Sequence, residues 1–297
     1  MEAAMTDVRA ALRADTANLG RRRLVDRVFT GLVYLAAAVG VVILLTILGY
    51  VVRNGLPALN LAFFTESIKP YGEEGGGVAH ALVGSLLMLL VASLIGVTVG
   101  IGTAVYLSEF GYTRFATYVR FAVELIAGLP SIVVGAFVWA FFVRLVLGHF
   151  SGLAGAVALA IIMVPIVART VEEVLRLVPD SLREAALALG VPRWRMVLSI
   201  VVPTARAGIV TGTVLAAARA GGETAPLLLT ALGNDFFNLD LRQPMAALPT
   251  TIYNYAKSPY ADWHTKAWGA SLILIAVIGV FSLLTRWVAS RSAFKER

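Results

Sequence analysis

The chain has 297 residues, 59% of them hydrophobic and only 14% charged, with a formal charge of +7. That balance is far from that of an average soluble domain and points to an integral membrane protein. The lack of cysteine excludes disulfides, thiol catalysis and cysteine metal sites; the three histidines, His80, His149 and His264, are isolated and show no ligand spacing, and the basic residues gather at the ends of apolar runs, which fits topology and not nucleic-acid binding.

Residues 1–27 are polar and end in Arg21-Arg22-Arg23 and Arg27, so they read as a cytoplasmic tail. The apolar run that follows, 28–52, exceeds the roughly 7–15 residues of a signal-peptide core and reaches the length of about 20 needed to cross a bilayer. Further spans are predicted at 81–105, 118–147, 153–174, 209–232 and 268–288, which gives an all-α, polytopic fold of six transmembrane helices. Domain organisation is then a tail, 1–27, and a transmembrane region, 28–297, that includes a cytoplasmic loop at 176–207. Most of the 25 lysines and arginines fall on the flanks that this topology makes cytoplasmic, while the external segments hold Arg53, Lys69, Arg144, Arg242, Lys257 and Lys266. The bias places both termini inside. In the external segment 53–80, the run Gly72-Glu73-Glu74-Gly75-Gly76-Gly77 has no phosphate-loop pattern and reads as a flexible turn. Tyr253, Tyr255, Tyr260, Trp263 and Trp268 have the composition of an external aromatic belt. No internal repeat is visible, which weighs against an inverted-repeat secondary transporter.

The cytoplasmic loop is amphipathic: residues 184–203 read EAALALGVPRWRMVLSIVVP. Ser181 and Glu184 have capping-box spacing, so a helix is expected from Ser181 to Gly190. A second is expected from Pro192, with Trp194, Val197, Leu198 and Val201 on one face and Arg193 and Arg195 among its polar positions. Two short helices at the membrane surface can receive a push from a soluble partner; a capped surface helix without that role is the alternative. The combination Glu184-Ala185-Ala186, Gly190, Ile200 and Val202-Pro203 resembles the EAA loop by which permeases of ATP-binding-cassette importers dock onto their ATPase, with Val202 where that pattern has leucine. The resemblance implies an ATPase-coupling role for Glu184, Ala185, Ala186, Gly190, Arg193 and Trp194.

The fifth span carries charge. Its segment 215–231 reads LAAARAGGETAPLLLTA, and Arg219 lies ten residues after Ile209, roughly 15 Å deep at 1.5 Å per residue. A charge there costs about 2.5–3.5 kcal/mol on insertion scales. Arg219 and Glu223 are four apart and can pair on one helix face. Gly221 and Gly222 allow close backbone approach, and Pro226 cannot bond the Gly222 carbonyl, so the helix is expected to kink or open. Two readings remain: a salt bridge that braces helices, or a polar pathway in which Arg219 meets an anion, since a guanidinium fork can bond two oxygens of an oxyanion. Pro130-Ser131 and Pro165 are further candidates for opened helices that present carbonyls or hydroxyls to a pore.

The motif ARAGGETAPLLLTA resembles the fifth span of the PstA family of phosphate importer permeases. Gly128-Leu129-Pro130-Ser131 and LPTTIYNYAKSP at 248–259 match in the expected order, so the resemblance covers most of the chain beyond the tail. It implies a type I importer permease (MetI-like) fold in the bacterial inner membrane and a pathway that includes Arg219, Glu223, Gly222, Thr224 and Ser131. It also implies a PstC-like permease, a PstB-like ATPase dimer and a PstS-like phosphate-binding protein as partners. The chain has no Gly-Lys-Ser/Thr nucleotide loop; no cofactor is expected on it, and ATP and Mg belong to the separate ATPase. Permeases for sulfate or molybdate, and an ion-gradient-driven transporter in which Glu223 carries protons, are the alternatives.

Overall fold

The computed structural model describes residues 2–73 and 75–294, with side chains described over 20–73 and 75–283. The charges expected in the tails at Arg9, Arg13 and residues 286–297 lie outside the described side chains. The chain divides after Arg53 into two units. The first is helix α1 (Glu2–Gly55), which carries the polar tail and the first apolar run as one helix. Its apolar side chains over residues 24–47, Phe29 and Tyr34 among them, are exposed, and Val51 near its end is buried.

Within the second unit, a short helix α2 (Leu61–Thr65) precedes α3 (Ala79–Glu109). Helices α4 (Arg114–Gly128) and α5 (Ser131–Val138) follow, and α5 continues as π-helical turns over Trp139–Leu147. Next is α6 (Gly152–Arg176), the centre of the unit, whose apolar window is two-thirds buried. It lies against α3 along a stripe of small residues, Ala92, Gly96, Gly100 and Ala104, all buried and spaced by four. An added Cβ at Gly96 would sit 2.9 Å from Met163 Cβ, and one at Gly100 only 2.6 Å from Val167 Cβ. Lipid chains are as apolar as leucine, so close backbone packing across such a stripe is what holds two membrane helices together. Pro165 sits inside α6 without ending it.

The remaining elements are α7 (Asp180–Ala188), α8 (Arg193–Met196) and α9 (Val202–Thr204), then α10 (Arg206–Gly221), α11 (Ala225–Thr230), α12 (Leu248–Lys257) and α13 (Ala261–Phe294). No strand occurs among the described residues. Four helices are long and apolar enough to cross a bilayer, and six spans result if each of two bent pairs counts as one.

Two helices open where Pro130 and Pro226 led one to expect it, and two other expectations are corrected. The third span is not straight: Arg114–Gly128 and Ser131–Leu147 meet at 105°, because Pro130 forces Leu129 out of the helical region, to ψ 138°. The fifth span is opened at Gly222–Thr224, before Pro226, which stands in the first turn of α11. The glycine run is pinned, not loose: Gly72, Gly75 and Gly76 have φ of 93°, 83° and 78°, Gly76 N–H donates to Glu66 at 2.8 Å, and Lys266 Nζ donates to the Gly75 carbonyl at 2.8 Å. That backbone donor and Lys69 beside it hold the Glu66 carboxyl below its usual range. Tyr255 belongs to the core and not to an aromatic belt: it is 1% exposed, beside Trp263, and its hydroxyl donates to the Gly77 carbonyl at 3.4 Å.

Candidate functional site

The 176–207 loop folds as two short helices, α7 and α8. The first starts two residues earlier than the capping box implies: Pro179, not Ser181, occupies the N-cap, Asp180 opens α7, and no side chain caps it. Proline ends the preceding segment, and an acidic residue in the first turn suits the helix dipole. The C-terminus follows the expectation. Val191 N–H bonds the Ala186 carbonyl at 3.1 Å and Gly190 N–H bonds that of Leu187 at 2.9 Å, a Schellman closure with Gly190 at φ 77°. An added Cβ at Gly190 meets nothing within 4 Å, so backbone conformation alone demands glycine there.

Ala186, Met196, Val197 and Val201 are the buried anchors of the loop. Glu184 and Ala185 are exposed, and so are Leu189 and Trp194, at 84% and 65%. The second helix was expected to carry Trp194, Val197, Leu198 and Val201 on one face; instead Val197 and Val201 are buried while Trp194 and Leu198 are exposed, and the helix turns π-helical over Val197–Val201. Arg193 donates from Nη1 to the Tyr112 hydroxyl at 3.0 Å, which ties α8 to the α3–α4 turn. A carboxylate and large apolar side chains are thus exposed on this loop, as a docking site for a soluble partner requires.

In the membrane, α10 presents two stripes. Ile209, Gly212, Ala216 and Ala220 are buried, with Gly212 against Thr170 of α6, while Thr211, Leu215 and Arg219 form an exposed stripe spaced by four. The expected pairing of Arg219 with Glu223 is not formed. The helix ends at Gly221, so Glu223 leaves the helical face; among the described residues, no hydrogen bond or ion pair joins the two. Arg219 stands in the last turn of α10, where a cation suits the carbonyl end of the dipole. Gly222 is the C-cap, and Glu223 and Thr224 are half-buried in the opened segment. Ser131 begins α5, and α5 meets α11 where Gly135 approaches Pro226 so closely that an added Cβ would lie 2.6 Å from its Cα. Gly135 is about 6 Å along α5 from Ser131, so both helix breaks flank one contact. Discontinuous helices of this kind are the form in which irregular backbone survives at membrane depth, lining a cavity or a protein-covered path.

Glu109, at the end of a predicted span, reads from the sequence as an interfacial or paired carboxylate; Arg183, its partner, was not singled out. Arg183 Nη2 lies 3.1 Å from Glu109 Oε1, and their side chains are 15% and 8% exposed. A second cluster sets Glu172 between Arg120 at 2.8 Å and Arg176 at 2.7 Å, joining α4 to α6. The i, i+4 spacing of Glu172 and Arg176 is a visible signal; the long-range partners have none.

Residues 96–294 match the family described as the binding-protein-dependent transport system inner membrane component. The chain is 46% identical to the phosphate transport system permease protein PstA of Pasteurella multocida over 259 residues, 86% of this chain and 92% of that one. It is 40% identical to the phosphate transport system permease protein PstA 1 of Mycobacterium tuberculosis (strain H37Rv) over 278 residues, 91% and 90% of the two chains. Among solved structures, an inward-facing MetNI methionine ABC transporter superposes with a TM-score of 0.62 at 19% identity, over 72% of this chain and 95% of that one, a likeness of fold alone.

Proposed function

The chain belongs to the family of binding-protein-dependent transport system inner membrane components, and from that premise we propose that it is the permease subunit of an ATP-driven phosphate importer. The observation that carries the reading is Arg219: a guanidinium on the open stripe of a membrane helix, at a break, with no protein carboxylate bonded to it. Facing lipid it would carry a cost of about 2.5–3.5 kcal/mol; facing a pathway it offers a fork of donors to an oxyanion. The relatives named for phosphate transport support phosphate as that anion.

Half of the pathway comes from this chain and half from a related PstC-like permease against the open face of α10. A PstS-like protein delivers phosphate from outside. Binding of ATP and Mg closes a PstB-like ATPase dimer against the surface of Glu184, Ala185, Gly190 and Trp194. The loop passes the motion on, and Arg219, with Ser131, Gly222, Glu223 and Thr224 around the two breaks, is presented to each side in turn. This chain binds and positions; hydrolysis belongs to its partner. Both termini and the 176–207 loop are cytoplasmic, with Glu66 and Asn238 outside. The test is reconstitution of the four-component complex in vesicles. ATP-dependent phosphate uptake that sulfate and molybdate do not compete is the expected result. Uptake that persists without ATP while a proton gradient is held would overturn it.

A further inference from the structure

Arg183 joins three helix ends. Its guanidinium donates to the Leu175 carbonyl at 2.9 Å and to the Val178 carbonyl, to Glu109 Oε1 from Nε at 3.3 Å and Nη2 at 3.1 Å, and to Asp180 Oδ1 at 3.2 Å. Leu175 stands in the last turn of α6, whose carbonyls have no partner within the helix. Glu109 is the last residue of α3, where a carboxylate meets the negative end of the dipole and needs a cation. A side chain of α7 thus holds the cytoplasmic ends of α3 and α6 together, in a nearly buried contact that salt and water screen little.

Beyond that contact the path is packed. The small-residue stripe seats α3 on α6, and Gly208 and Gly212 of α10 lie so close to Val174 and Thr170 of α6 that an added Cβ would sit 2.4 Å and 2.7 Å from their side chains. At the other end of α3, the Leu248 N–H donates to Ser85 Oγ at 2.6 Å.

We propose that Arg183 is a positioning residue for transport, the latch that makes the coupling helix α7 and the α3–α6 pair move as one body. Displacement of α7 by the ATPase then reaches α10, and Arg219 on it, through α6. Arg193 makes a single exposed bond to Tyr112 and is a secondary tie. The inference rests on the permease reading above, and the thiol-labelling arm of its test does not depend on the identity of the substrate.

The chain has no cysteine, so Thr211→Cys places one thiol on the open stripe of α10. In the full complex, labelling of that thiol by a maleimide is compared with and without a non-hydrolysable ATP analogue. The parent complex is expected to change its labelling rate with nucleotide. Arg183→Met and Glu109→Gln are each expected to reduce that change at least about tenfold, the scale of one lost charge-assisted bond, with the ATPase still copurifying. In Arg183→Cys with Glu109→Cys, carrying the Thr211→Cys reporter blocked or omitted as required, a short bifunctional thiol reagent is expected to restore nucleotide-dependent phosphate uptake. A full nucleotide response in Arg183→Met would overturn the latch. So would loss of the assembled complex in both single variants together with a cross-linked pair that stays inactive, since the contact would then be a folding brace. A labelling response in the parent complex without phosphate uptake would overturn phosphate as substrate and leave the latch supported.

Discussion

Arg183 and Arg219 carry the same charge and belong to two regions built by opposite rules. Around Arg183 every donor is spoken for: the Leu175 and Val178 carbonyls, Glu109 and Asp180 hold it, and its side chain is 15% exposed. Around Arg219 the described residues supply no carboxylate bond, the helix stops two residues later, and the side chain is exposed on a stripe with Thr211 and Leu215. A guanidinium saturated by its own chain can transmit force but cannot take a ligand. One left open at membrane depth is stable only where something outside the chain completes it. The difference separates an arginine that positions from one that binds.

The sharpest way to break that contrast is Arg219→Ala, which removes the open fork. Phosphate uptake by the reconstituted complex is expected to fall about 10–100-fold, the worth of a hydrogen bond to a charged group, while assembly is unchanged because no bond within the chain is lost. Arg219→Lys is expected to fall between the two, with charge kept and the fork gone. Wild-type uptake in Arg219→Ala would place the anion elsewhere.

The rigid region has its own test. Gly100→Val drives two methyl groups into Val167 and is expected to destabilise the protein by about 1–3 kcal/mol in thermal unfolding in detergent. Gly102→Ala, where an added Cβ meets nothing within 4 Å, is the matched control and is expected to leave unfolding unchanged. Equal behaviour of the two would mean that the stripe does not carry the packing.

At the coupling loop, Gly190→Val puts a β-branched residue at φ 77°, a strain of about 1–3 kcal/mol. The expected result is ATP hydrolysis that continues while uptake per ATP declines severalfold; unchanged coupling would remove Gly190 from the loop's shape. The smallest effect is expected at Glu223. Since it does not hold Arg219, Glu223→Gln should change uptake by less than about threefold, the scale of a neutral bond. Abolished uptake there would show that its charge acts on the anion directly.

Much of this was legible in the chain itself. Apolar length marks spans because a bilayer admits only segments that satisfy their own backbone, and Gly190 could be assigned to a helix end because a left-handed position after a run of helix formers admits little else. The opened fifth span was likewise readable from Pro226. Less was visible where two local rules compete. Capping-box spacing at Ser181 lost to Pro179 two residues earlier, and the i, i+4 spacing of Arg219 and Glu223 lost to the glycines that end the helix between them.

What the sequence by itself determined is the list of membrane segments, the amphipathic 176–207 loop with its glycine closure, and the presence of charge in the fifth span, since each depends on residues within about one bilayer length of chain. Tertiary structure alone decided which charges are satisfied. Glu109 and Arg183 are 74 positions apart and Arg120 and Glu172 are 52, separations that no periodicity encodes. They meet because α3 packs on α6 through residues too small to keep the backbones apart, and that packing decides which arginine is locked and which is left open.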